Sequence, residues 1–248
     1  MSVLFEELDY RDTPIGELSL RRRRKLATDL DVYEIKLGEE FLMSSLFTTS
    51  EIALADLGLA ELTRKGNIDV VVGGLGLGYT AQAVLAHNAV SSLIVVETID
   101  AVIDWHTSGL LPLGAQLTSD KRCSFVHGDF FELAASRSGF DPEAPARLFD
   151  AILVDIDHSP DLLLTPDNAS FYQQEGLERL RKHLNPGGVF GLWSNDLPKD
   201  DFTARLSEVF SSSRAERVSF PNPLQARDFT QTIYLAQNIK GSKLAHSQ

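Results

Sequence analysis

From Asp69 onward the chain alternates between two hydrophobic periods, and this alternation limits the fold more than any other feature. Short apolar runs at Asp69 to Val72, Ser92 to Val96, Cys123 to His127, Ala151 to Val154 and Val189 to Trp193 read as strands. Helical spacing marks Tyr79 to Leu85, Ala101 to Leu111, Phe130 to Ser136, Ser170 to Leu184 and Asp200 to Phe210. Strands joined through helices run parallel with right-handed crossovers, so the expected class is α/β with a doubly wound, mostly parallel sheet. Val70-Val71-Val72 and Ile152-Leu153-Val154 have no polar alternate face, as strands covered by helices on both sides require. Ala215 to Phe220 and Thr230 to Ala236 follow as two strands across Pro221-Asn222-Pro223, which predicts an antiparallel C-terminal edge.

The first part of the chain has a different pattern. Val3-Leu4-Phe5, Gly16 to Leu20, Val32 to Leu37 and Glu40 to Met43 are short β-like pieces separated by turn residues, the pattern of a small β-rich subdomain. Thr48-Thr49-Ser50-Glu51 then has the hydroxyl and acid spacing of a helix start, and apolar residues continue until Gly66. The expected organisation is a subdomain over 1–47, a ligand-binding domain over 48–240 and a disordered tail over 241–248. With 248 residues, 43% of them apolar, the chain can bury one sizeable core plus a small appendage.

A formal net charge of −12 repels phosphate backbones and anionic bilayers, so neither nucleic acid nor membrane is expected as a partner. The basic run Arg21-Arg22-Arg23-Arg24-Lys25 reads as a solvated strand end or turn. Cys123, the single cysteine, sits in a buried-strand context and suggests a packed thiol in a reducing compartment. Glu6, Glu7 and Asp9 stand where a secretory leader would have a basic head and apolar run, and no segment reaches the ~18 apolar residues of a spanning helix. These signs predict a cytoplasmic protein.

Open α/β sheets bind ligands outside the carboxyl ends of their strands, so the residues that follow each strand carry the chemistry. The first strand runs into Gly73-Gly74-Leu75-Gly76-Leu77-Gly78 and directly into a helix, a loop whose backbone can turn sharply and approach a ligand. Gly73, Gly74, Gly76 and Gly78 are its binding glycines. Counting from Gly74, the sixth position is Tyr79, so the dinucleotide fingerprint is absent and a nucleoside with an amino-acid tail is favoured over a pyrophosphate. Glu97 ends the second strand, 23 residues after Gly74, where a carboxylate can accept both ribose hydroxyls. After the third strand, Asp129 can accept from an adenine amino group and Phe130 can lie along the base. After the fourth come Asp155, Asp157 and His158. Asp155 is placed as a general base or as counter-charge to an amine or sulfonium, and Asp157 and His158 are candidate contributors. Three such residues fall short of the usual metal ligand set, so no metal is expected. Asn185-Pro186-Gly187-Gly188 reads as a helix stop before the next strand.

Val72 to Gly78, Glu97, Gly128-Asp129, Asp155 and Asn185 to Gly188 together resemble the class I S-adenosylmethionine-dependent methyltransferase fold, a Rossmann-like sheet. More narrowly, the chain resembles the spermidine synthase family, the polyamine aminopropyltransferases, over nearly its whole length. That resemblance implies a role for Glu97 at the ribose, for Asp129 at the adenine and for Asp155 in accepting the proton of an attacking amine. It also implies a homodimer. The family's acid within the glycine loop is replaced here by Leu75 and Leu77, its second acid by His158, and the glutamine and tyrosine of its amine groove align with Ser45 and Leu54. The first expectation is therefore an enzyme that binds S-adenosylmethionine and transfers its methyl group to a small-molecule acceptor, an amine among the candidates. The alternatives are aminopropyl transfer from decarboxylated S-adenosylmethionine to an amine, and a non-catalytic nucleoside-binding or scaffold protein.

Overall fold

The computed structural model describes residues 4–26, 29–222 and 227–238; Val3 and the tail expected at 241–248 lie outside them. The leader is a four-stranded antiparallel meander, β1 (Phe5–Thr13), β2 (Gly16–Lys25), β3 (Leu30–Leu37) and β4 (Glu40–Ser44), with its strands in chain order. β1 extends well beyond the short piece expected around Phe5, because its polar residues are paired across the sheet. The register sets Glu6 opposite Arg22 and Glu7 opposite Arg21, with ion pairs of 2.6 and 3.5 Å. On the other side Arg23 reaches Glu34 at 2.7 Å and Arg24 reaches Asp31 at 3.1 Å. The basic run is thus the second half of β2, not a strand end or turn, and its charge is met by facing carboxylates.

The main sheet has the order β10-β11-β9-β8-β5-β6-β7. Its parallel strands are β5 (Ile68–Gly73), β6 (Val90–Glu97), β7 (Cys123–His127), β8 (Phe149–Val154) and β9 (Leu184–Ser194). β11 (Arg227–Asn238) runs antiparallel to both β9 and β10 (Ser212–Asn222), which gives the C-terminal edge its reversal. Val70, Val71 and Val72 on β5 and Ile152, Leu153 and Val154 on β8 are fully buried, as expected of strands covered on both faces. The chain is therefore an α/β fold with a doubly wound, mostly parallel sheet and a small β-rich leader.

The helices are α1 (Thr49–Ala60), α2 (Tyr79–Ala86), α3 (Asp100–Thr107), α4 (Gly114–Ser119), α5 (Phe130–Ala135), α6 (Gln174–Arg181) and α7 (Asp200–Val209). α1 stops at Ala60, before the Gly66 stop signal. The helix expected over 101–111 ends at Thr107, with Gly109 at φ 77°, and α4 follows as a separate short helix. The helix expected from Ser170 is divided into a 3₁₀ turn, Pro166–Ser170, and α6. A Cβ on Gly176 would lie 2.3 Å from the Ser170 carbonyl oxygen, so the two pieces meet at close range. Asn185 to Gly188 is incorporated into the start of β9, with Gly187 at φ 86°, and the register with β8 shifts beside it.

The leader leans over the carboxyl ends of the strands. Leu18, Leu20 and Ile35 are fully buried in one cluster with Leu54 and Trp105, and Trp105 Nε1 donates to Asp9 Oδ2 at 2.7 Å. At the opposite end of the sheet, the buried Asp150 accepts from Asp69 N at 3.0 Å, Asn185 Nδ2 at 3.0 Å and Arg64 Nη1 at 3.2 Å. This carboxylate ties β5, β8 and β9 together and leaves the ligand-binding ends of the strands free. Asp150→Ala strands those donors, and urea unfolding should show a loss of about 2 kcal/mol or more without loss of the fold.

Candidate active site

β5 lies between β6 and β8, so the chain's winding direction reverses there, and a cavity of about 560 Å³ opens at the carboxyl ends of these strands. Gly74, Gly76 and Gly78 line it and take φ values of 94°, 49° and 92°, conformations that side chains with a Cβ rarely adopt. At Gly74 there is also no room, since a Cβ would lie 2.2 Å from the Asp155 carbonyl oxygen. Gly73 serves differently. It is the buried last residue of β5, and the Phe130 ring fills the place of its missing side chain.

Glu97, buried at the end of β6, accepts from Leu75 N at 3.0 Å through Oε2 and from Ile99 N at 2.9 Å through Oε1. Burial pushes its carboxyl above the ordinary range, opposed by these backbone donors. One carboxylate therefore holds the glycine loop and still faces the cavity. Asp129 caps α5, accepting from Phe131 N at 2.7 Å and Glu132 N at 3.0 Å. Both bonds go to Oδ1, so its capping role is compatible with a ligand on Oδ2. Phe130 contributes to the cavity floor but is only 2% exposed, stacked on Phe140 and edge-on to Phe131 and Phe171.

The three candidates after β8 diverge. Asp155 lines the cavity and accepts from Thr80 Oγ1 at 2.8 Å. His158 also lines it, with Nε2 3.6 Å from Glu40 Oε1. Asp157 is turned inward at 1% exposure and accepts from Leu164 N, Asn168 Nδ2 and Tyr172 Oη at 2.7, 3.0 and 2.8 Å. The chain leaves β8 at Val154 and bends at Asp157 and His158, so the two acids do not share a face as they would on a continued strand: Asp155 faces the cavity and Asp157 anchors the 157–172 segment. Among the described residues no three His, Cys, Asp or Glu side chains are grouped as metal ligands.

Glu51 was missed in the sequence. It reads there as a helix-start acid, yet the Thr48 side chain makes no cap bond and the Glu51 side chain faces the cavity. Burial, reinforced by the charge of Asp155, raises the Glu51 carboxyl, and burial raises Asp155 against the bond from Thr80. The bonding around Glu51 agrees. Ser50 Oγ donates to Gln231 Oε1 at 2.6 Å and lies 2.9 Å from Glu51 Oε2. A single hydroxyl proton cannot serve both acceptors, so a Glu51 that carries its own proton completes the chain. Gln231 Nε2 continues it to Asn195 Oδ1 at 2.9 Å. Leu54, aligned with an amine-groove residue, is instead fully buried in the core, and Ser45 Oγ accepts from Tyr33 N at 2.9 Å. The only available signal was an acid placed in the first turn of a mainly apolar helix where the leader ends.

A switch-point cavity with a glycine cradle and a buried acid at the end of the second strand belongs to the nucleoside-binding transferases of the S-adenosylmethionine type. A family model described as the spermine/spermidine synthase domain matches residues 50–203, and the chain belongs to that family. It is accordingly a transferase that works with S-adenosylmethionine or a relative of it. No curated protein matches its sequence. Among solved structures, a spermidine synthase in complex with the transition-state analogue AdoDATO superposes with a TM-score of 0.71 at 17% identity, covering 94% of this chain and 73% of that one. Spermidine synthase from Thermotoga maritima gives 0.69 at 17% identity, covering 94% and 72%. Human methyltransferase-like protein 13 in complex with SAH gives 0.57 at 23% identity, covering 79% and 86%.

Two outcomes test this site. Glu97→Ala should weaken nucleoside binding by at least tenfold, about 1.4 kcal/mol, by calorimetry; an unchanged affinity removes Glu97 from the site. The second concerns pH. Because folding raises both Glu51 and Asp155, the folded chain binds protons that the unfolded chain releases, and this stabilisation is full below the unfolded values and drains as pH rises through the raised ones. Glu51→Gln should therefore melt above the parent at pH 8, with the gap closing toward pH 5.

Proposed function

We propose that the protein transfers an aminopropyl group from decarboxylated S-adenosylmethionine to an amine. The observation that carries this reading is the pair of acids, Glu51 and Asp155, in a cavity whose other free charges are also negative. Glu97 and Asp129 face the same space, while Arg23 is held by Glu34 through Nε at 2.9 Å and Nη2 at 2.7 Å. A sulfonium and an ammonium are favoured there, and the α-carboxylate of an intact methionine tail is opposed. Leu75 and Leu77 remove the acid from the glycine loop, and Glu51 supplies one from α1 instead.

In the reaction the acceptor nitrogen attacks the propyl carbon bound to sulfur. The C–N bond forms as the C–S bond breaks, and methylthioadenosine leaves with the electron pair. Asp155 takes the proton released by the new ammonium, and its raised basicity suits that task better than an ordinary carboxylate would. Glu97 holds the ribose, Asp129 the adenine, and the glycine loop lies against the nucleoside's sulfonium end. His158 borders the acceptor side, whereas Asp157 acts through the loop it anchors. The division at 47/48, into a leader that roofs the cavity and a domain that binds the nucleoside, belongs to the same proposal, as do a cytoplasmic location and a small-molecule partner. No helix among the described residues is long and apolar enough to cross a membrane.

Methyl transfer from S-adenosylmethionine is the second reading, and the acid-free glycine loop favours it. The leaving nucleoside separates the two: methylthioadenosine marks aminopropyl transfer and S-adenosylhomocysteine marks methyl transfer. With either donor, Asp155→Asn should abolish turnover while nucleoside affinity stays within a few-fold. Undiminished turnover sinks its role as base.

A further inference from the structure

The cavity wall changes character as it leaves the acid pair. Gln231, joined to Glu51 through Ser50, lies on β11, and Phe229 follows two residues back on the same face, about 7 Å along the strand. Phe229 is in register with Phe220 on β10, and their rings are 5.9 Å apart. Phe220 in turn packs 6.0 Å from Phe47, the residue that leads into α1. All three rings line the cavity, and Trp193 borders it from β9 with an indole N–H that has no hydrogen-bond partner among the described residues.

Beyond the Glu51 and Asp155 pair, the acids that line the cavity come from other elements. Glu97 and Asp129 stand at the ends of β6 and β7, on the nucleoside half, and Glu34 is held by Arg23. Among the described residues, the cavity-lining polar groups on the strands that carry Phe220 and Phe229 are the neutral amides of Asn222 and Gln231, with Asn195 just past β9. A second ammonium at this end would lose its hydration without meeting a carboxylate. An alkyl or aryl chain would gain by leaving water.

We infer that the acceptor is a primary amine with one cationic head and an apolar tail, the head held by Glu51 and Asp155 and the tail seated against Phe47, Phe220 and Phe229. Diamines and polyamines are disfavoured because their far ammonium meets rings in place of an acid. This inference rests on the amine-acceptor reading and narrows it to a substrate class.

The test compares hexylamine with 1,6-diaminohexane, a pair that differs by one terminal ammonium, titrated calorimetrically into the full chain with and without methylthioadenosine. Hexylamine should bind at least tenfold more tightly. Phe229→Glu places a carboxylate at the apolar end and should reverse the preference, while Phe229→Leu, which keeps the site apolar and controls for folding, should retain it. Equal or tighter binding of the diamine by the parent overturns the inference, as does failure of both amines to bind. A preference for hexylamine without any aminopropyl product would instead sink the transfer reading and leave the selectivity standing.

Discussion

The site depends on a close approach between two strand ends. Gly74 N donates to Val96 O at 2.9 Å and Asp155 N donates to Gly73 O at 2.8 Å, which locks β5 between β6 and β8 where the chain reverses its winding. At that point a side chain on Gly74 would strike the Asp155 carbonyl. The glycine is therefore required by the sheet as much as by any ligand. Its absence of a side chain brings the glycine loop and Asp155, the base of the proposed reaction, to adjacent positions.

Around that contact the molecule places its costs where they are useful. Glu97, Glu51 and Asp155 are carboxylates in a partly dry cavity, and each is pushed toward its neutral form. Their desolvation is offset only in part, by backbone donors at Glu97 and by Thr80 at Asp155. A cationic ligand would relieve the remainder. Two groups of charges elsewhere are paired: the arginines of β2 face carboxylates on neighbouring strands, and Asp150 collects donors from β5, β9 and Arg64 at the closed end of the sheet. At the cavity, by contrast, Glu51, Glu97, Asp129 and Asp155 have no cationic partner among the described residues.

Much of this was legible in the chain. The β7 boundaries, Cys123 to His127, follow directly from the apolar run, and Asp129 is recognisable as the residue that starts α5. Where the reading fell short, long-range pairing had overridden local pattern. β1 is rich in acids and looks like a loop until β2 supplies its arginines. β7 is the edge strand of the sheet and holds no buried residue, so Cys123 is half-buried instead of lying in the buried strand expected around it, although burial still pushes its thiol up to about 12. Asp157 looked equivalent to Asp155 because spacing alone does not say which side of an irregular segment faces a cavity.

The sequence by itself determined the fold class, the glycine cradle and the strand-end acids, since hydrophobic period and the residue after each strand are local properties that a parallel sheet converts into position. Only the tertiary structure decided that Glu51 joins Asp155 and that the phenylalanines of α1's approach, β10 and β11 close the far end of the cavity. Those groups come from segments far apart in the chain, and no local pattern records that their side chains converge on one space.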